Sequence, residues 1–162
     1  MALQKQVGLY YAPAVPGDRA TQNPVIYTQG NPRAEGEITI GHFVFAGTDP
    51  FRQVKASTTG KSAPVGFVER ILAYYNYNLT SPATMTIPDQ TDVTIAARGD
   101  FWCAPTNQSA STGQTVFAST TDGSIQTGDA KTPIEGHVKT DWIVKYYDTD
   151  SNLALISNWQ TA

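Results

Sequence analysis

Few residues of this chain carry side chains suited to chemistry, and those few are scattered. His42 and His137 are its only histidines and Cys103 is its only cysteine. Metal centres gather His, Cys and carboxylates at short regular spacings, and nucleophilic catalysis sets Cys or Ser beside a base. Neither histidine has a second histidine or a cysteine at such a spacing, so each reads as a partly exposed strand residue. Cys103 lies on an apolar strand face and reads as a small buried hydrophobe. Gly60-Lys61-Ser62 matches the tail of a phosphate-binding loop, but Lys55 stands where the first glycine is needed and Ala63-Pro64 replaces the following helix. Asp148-Thr-Asp150-Ser-Asn152 sets oxygen ligands at alternate positions, yet lacks the turn glycine and distal glutamate of a calcium loop, and a hairpin turn explains it equally well. Arg98-Gly99-Asp100 sits inside an alternating run rather than on a loop tip. Asn78-Leu-Thr80 and Asn107-Gln-Ser109 are chance glycosylation matches without a secretory signal. No catalytic, cofactor-binding or metal-ligating set emerges, and a non-enzymatic protein is expected.

The elements around these residues follow from composition. The chain has 162 residues, enough for one domain with a real core. Val, Ile and Thr supply 42 residues against six Leu and two Met, which favours pleated surfaces over helical bundles. Eleven Lys and Arg with a net charge of −3 argue against nucleic acid as the main partner. No apolar run approaches the length of about eighteen residues that a membrane helix needs. The opening Met-Ala-Leu-Gln-Lys-Gln lacks a signal-peptide apolar stretch, and a lone cysteine gives no internal disulfide, so synthesis in a cytoplasm is expected.

Residues 1–36 and 37–162 read differently. The first stretch carries Pro13, Pro16, Pro24 and Pro32 with four glycines, which disfavours helix and central strand and predicts an extended arm. It nevertheless holds Leu9, Tyr10, Tyr11, Val25, Ile26 and Tyr27, too many large apolar groups for a solvating tail. It either packs on its own domain or lies on a partner. From Glu37 onward, short β-like runs alternate with turns: Glu37–Phe45, Val65–Tyr75 (which also fits one helical turn), Met85–Ile87, Val93–Cys103, Thr115–Ser119 and Ser124–Gln126. In the fourth, Val93, Ile95, Ala97, Gly99, Phe101 and Cys103 are expected on one face, with Thr94, Arg98 and Asp100 opposite. Near the C-terminus Val138, Trp142, Val144 and Tyr146 alternate against Lys139, Asp141 and Lys145. The chain turns at Asp148–Asn152 and returns through Leu153–Trp159. The expected fold is all-β, a small β-sandwich or β-barrel-like domain with an extended, Pro/Gly-rich N-terminal arm.

Several of these stretches, taken in order, resemble the structural cement, or head decoration, proteins of tailed bacteriophages. Gly17-Asp-Arg-Ala-Thr-Gln-Asn-Pro24 is similar to the family's N-terminal Gly-Asp-x-Ala-Ser/Thr-x-Asn-Pro element. Gly41-His-Phe-Val-Phe45, Gly66-Phe-Val-x-Arg70, Ile87-Pro88, Val93-Thr-Ile95, Gly99-Asp-Phe-Trp102 and Gly113-Gln-x-Val-Phe-Ala118 follow in the family's order. The chain departs at Asn31-Pro-Arg33, where a second Asn-Pro lengthens the arm, and in the hairpin within residues 130–162.

The resemblance implies a virion protein on the outer capsid surface that binds the assembled major capsid protein lattice and braces the head against internal DNA pressure. It also implies self-association, with trimers favoured over dimers; from the charge balance and the apolar run lengths, neither nucleic acid nor membrane is expected as partner. Within that role the arm is the expected contact element, through Leu9, Tyr10, Tyr11, Val25, Ile26 and Tyr27, with Arg19 and Arg33 adding bonds to shell carboxylates. A carbohydrate-binding β-module is the alternative, with Trp102, Trp142 and Trp159 as stacking rings. The company Trp142 keeps with Val138 and Val144 favours a core place for it.

Overall fold

Phe43, Val44 and Phe45 are buried in succession, which a strand with one wet face cannot achieve. The computed structural model, which describes residues 13–71 and 84–159, explains the run by placing it in a middle layer. Among the described residues there are thirteen strands and no helix. The first half of the chain forms β1 (Ile26–Tyr27), β2 (Arg33–Ala34), β3 (Ile38–Thr39), β4 (Phe43–Ala46), β5 (Gln53–Lys55), β6 (Gly66–Val68) and β7 (Thr86–Ile87). The second half forms β8 (Ile95–Arg98), β9 (Asp100–Cys103), β10 (Thr115–Ser119), β11 (Ile125–Gly128), β12 (His137–Asp148) and β13 (Leu153–Ser157). The helical alternative over Val65–Tyr75 gives way to β6 at its start, and residues 72–75 lie outside the described residues.

Three sheets result: a six-stranded one ordered β1-β8-β6-β4-β5-β2, a five-stranded one ordered β11-β10-β12-β13-β9, and the pair β3-β7. All pairings are antiparallel except β2 with β5. The six-stranded sheet lies between the other two. Its Phe43, Phe45, Phe67 and Ala96 face the five-stranded sheet, meeting Phe101, Trp142, Val144 and Ile156. Its Val44, Val54, Val68 and Ile95 point the other way, onto Ile38 and Ile87 of the small sheet. The aromatic side of this core is tightly interlocked: Phe43 meets Phe67 and Trp142 edge-on at centroid distances of 5.5 and 5.9 Å. The architecture is therefore all-β and layered. The barrel alternative is corrected, since the strands do not close on themselves.

Two local irregularities break the alternation expected from sequence. Gly99 is a corner between sheets: Ile95 belongs to one apolar core and Phe101 and Cys103 to the other. A Cβ at Gly99 would stand 2.5 Å from the Phe101 ring. The Asn158 side chain ties the corner, accepting from Gly99 N–H at 3.1 Å and donating to Ala97 O at 2.8 Å. Because the face changes there, Asp100 is buried rather than turned to solvent. In β12 the register slips between Val144 and Tyr146, so the extra residue throws Tyr146 out to the surface while Trp142 and Val144 stay inside.

One stretch, residues 26–34, supplies both outermost strands of the six-stranded sheet. It runs antiparallel to residues 91–98: Ile26 pairs Arg98, Thr28 N–H donates to Ile95 O, Val93 N–H donates to Pro32 O, and Ala34 N–H donates to Thr91 O. Its prolines fit because the positions that must donate are occupied by other residues. The boundary expected at residue 36 falls just after β2, and β1 and β2 both pair with strands from beyond it.

Candidate functional site

The arm expected to make contacts begins, among the described residues, as a strap laid along β9. Gly17 starts it with φ +94°, a conformation open to glycine; a Cβ there would sit 2.7 Å from Ile40 Cγ2. Asp18 closes the preceding turn, its carboxylate accepting from Val15 N–H at 3.0 Å. The backbone then pairs with β9 as an added strand. Gly17 N–H donates to Trp102 O at 2.8 Å, Trp102 N–H to Asp18 O at 2.9 Å, and Ala20 N–H to Asp100 O at 2.9 Å. On the other side Arg70 N–H donates to Gly17 O at 2.9 Å.

Side chains clamp the strap at four carboxylates. Asp18 pairs with Arg70 at 3.1 Å. Glu69, buried at the end of an apolar run, accepts from Arg19 Nε at 2.6 Å and from the Tyr27 hydroxyl at 2.6 Å, and Arg19 also donates to that hydroxyl. The bond to Glu69 raises the Arg19 pKa, while burial and the bond to Glu69 raise that of Tyr27. Asp100 accepts from Thr21 Oγ1 and Asn23 Nδ2, both at 2.6 Å. Burial alone would push its carboxyl up, but the bonds from Ser157, Thr21 and Asn23 outweigh it and hold the pKa below the ordinary value. Arg33 meets Asp92 at 3.2 Å in a pair exposed on both sides, the weakest clamp of the four. The Gly17–Pro24 motif thus places Gly17, Asp18, Arg19, Thr21 and Asn23 as fasteners of the strap to its own domain.

The eight residues expected to make contacts divide accordingly. Leu9, Tyr10 and Tyr11 lie outside the described residues. Val25 turns inward, half-buried against the aromatic core. Ile26 and Tyr27 remain on the surface, Ile26 at 48% exposure, despite belonging to β1. Arg19 and Arg33 are engaged by Glu69 and Asp92. Sequence reasoning missed Glu69 and Asp100; the signal for the first is a lone carboxylate directly after Gly66-Phe-Val68. It also missed Phe51, 64% exposed at a turn beside the arm, where a Cβ on Gly30 would stand 3.7 Å from Phe51 Cζ.

The other singled-out groups serve the fold. Cys103 is fully buried, and burial pushes its thiol pKa far up, which keeps it unreactive. His42 Nδ1 lies 3.1 Å from Asp122 O, and His137 Nδ1 lies 2.9 Å from Glu135 O. No cluster of three potential metal ligands forms among the described residues. Asp148 and Asn152 are used within their own turn, by Ser151 and by the Tyr147 hydroxyl. Asn107 donates to Thr127 O at 3.1 Å. Trp142 is core and offers no ring to a ligand; Trp102 meets Tyr146 edge-on at 6.2 Å.

A family model described as structural cement protein (E217 gp24/Pam3 gp6) matches residues 3–158. The chain belongs to the structural cement protein family. This cement-family chain is also similar in fold to a solved chain from the capsid of Myoviridae phage XM1, with a TM-score of 0.66 and 14% identity over 98% of each chain. No curated protein matches it. Family membership makes it a structural protein of a phage capsid, associated with capsid proteins and located in the virion.

Proposed function

We propose that this protein is a cement on the outer surface of the assembled head, binding the major capsid lattice and bracing it against the pressure of packaged DNA. The observation that carries the reading is the family match across residues 3–158. A layered β-domain suits a protein that acts by adding contacts. The contact element is the arm, residues 1–36: its portion from Gly17 onward is clamped to the domain, and Leu9, Tyr10 and Tyr11 precede that portion in sequence. Ile26, Tyr27 and the neighbouring Phe51 present apolar surface beside it. Arg33, in its exposed pair, can exchange Asp92 for a shell carboxylate at little cost. Copies associate as trimers on three-fold and quasi-three-fold positions, with dimers as the rival arrangement. Repetition over a lattice turns modest contacts into strong ones. Synthesis takes place in the host cytoplasm.

Sedimentation with emptied mature heads tests the reading. The full chain should pellet with heads and not with free capsid subunits. Decorated heads should rupture at a higher temperature than bare ones, because a ligand that binds only the assembled shell stabilises it. Failure to pellet would refute the proposal. Sedimentation velocity of the free protein, together with the symmetry of its density on heads, distinguishes trimer from dimer.

A further inference from the structure

The outer face of the five-stranded sheet carries a built groove that the strap does not use. Phe117 points away from the central core, yet the 129–136 loop folds over it and buries it; Ile134 leans to within 3.3 Å of where a Cβ on Gly128 would stand. Between that loop and β12 lies an open groove of about 520 Å³, its apolar lining formed by Pro133, Ile134 and Val138 over the buried Phe117. Its walls are fixed before anything binds. Thr120 N–H and Oγ1 both donate to Gly136 O, His137 N–H donates to Ile134 O, and Lys139 Nζ reaches Ala130 O at 3.3 Å. A preformed groove spares a ligand the cost of ordering it.

The rim has a charge the whole molecule lacks. Lys61, Lys131 and Lys139 stand around an apolar floor with Glu135 among them, and Asp129 accepts from the Lys131 N–H at 2.9 Å. These are three of the chain's six lysines, in a protein of net charge −3. Neither Lys61 nor Lys131 has a side-chain partner among the described residues. We infer that this groove docks an acidic segment of a neighbouring protein chain, an apolar side chain entering the floor while flanking carboxylates meet the lysines. A nucleic acid would gain little from the apolar floor, and a bilayer prefers a convex surface to a narrow recess. The inference rests on the capsid reading only for the claim that protein neighbours surround the molecule.

Short synthetic peptides carrying one Leu or Phe flanked by Asp and Glu, titrated into the full chain and followed by amide NMR, test it. Shifts should concentrate at Gly136, His137 and Val138. Lys61→Glu/Lys131→Glu, both solvent-exposed, should weaken binding roughly tenfold or more, as expected for losing two charge contacts. Ile134→Ala should weaken it with the charges intact. Peptides with lysine in place of the acids should not bind. Absence of saturable shifts in the groove, or binding indifferent to both variants, would overturn the inference. So would anionic vesicles binding with the same lysine dependence while the peptides do not. Sedimentation with heads is scored separately: if wild type fails to pellet, the capsid reading falls while the titration still decides the groove.

Discussion

Asp100→Asn isolates the charge that holds the strap. The substitution keeps the shape of a buried side chain and removes only its ionisation. Asp100 receives bonds from Thr21 and Asn23 at 2.6 Å, with Ser157 as a third donor. Bonds to a charged acceptor contribute about 1.5–3 kcal/mol each and neutral ones about 0.5–1.5, so three bonds would lose about 3 kcal/mol in all. Thr21 and Asn23 are exposed and recover part of that from water, which leaves a net loss of about 2 kcal/mol. At 2–4 °C per kcal/mol for a chain of this size, Tm should fall by roughly 4–8 °C. The folded-state pKa of Asp100 lies below its unfolded value, so its stabilisation is complete above the ordinary carboxylate pKa of about 3.9 and drains away as pH falls through the lower, folded value. Denaturant unfolding of wild type and variant should therefore differ at neutral pH and converge in acid, with faster exchange of the Gly17 and Ala20 amides in the variant at neutral pH. A gap that persists unchanged in acid would mean that shape, not charge, does the holding, and the clamp argument would fail.

Gly17→Ala should destabilise by about 2–4 kcal/mol, from its left-handed backbone and the 2.7 Å approach of Ile40, as read by denaturant midpoint. Trp142→Ala should cost about 3–5 kcal/mol by emptying the centre of the aromatic core, whereas Tyr146→Ala on the surface should cost under about 1 kcal/mol. Cys103 should resist thiol reagents in the native protein and react only on unfolding; rapid native labelling would contradict its burial. Deleting residues 1–12 should leave cooperative unfolding intact while weakening head binding, but deleting residues 1–36 should abolish the folded state, since β1, β2 and buried Ala34 go with it. Undiminished head binding without residues 1–12 would remove that segment from the contact.

The β-rich class was legible because Thr115–Ser119, Val138–Val144 and Leu153–Trp159 alternate or carry β-branched residues between turn signals. The layering was hidden in Phe43-Val44-Phe45, whose unbroken apolar run reads as strand yet does not say that two different cores claim its two sides. Face changes at Gly99 and beyond Val144 escaped because periodicity assumes an unbroken strand, and a corner or a bulge resets its phase. The strap escaped for another reason. Its pairing is with residues 70 and 91–102, its strands are two residues long, and neither feature leaves a period behind. Motif similarity marked Gly17–Pro24 as a unit, but only the geometry assigns Asp18, Arg19, Thr21 and Asn23 their partners.

That long-range pairing has a bearing on how the chain is made. Ribosomes release the N-terminus first, at about 5–20 residues per second. Residues 17–32 find their partners at 93–102 only after roughly sixty to ninety further residues have been added, a delay on the order of three to eighteen seconds. Throughout it, Val25, Ile26 and Tyr27 have no sheet to join and the donors and acceptors of β1 remain unpaired, whereas the partner of β2, β5, is made much sooner. Two early prolines, Pro24 and Pro32, flank this waiting segment and deny a stray strand a full ladder. A nascent chain stalled before Trp102 would be the species that aggregates or is captured by chaperones, and one stalled safely beyond it would not.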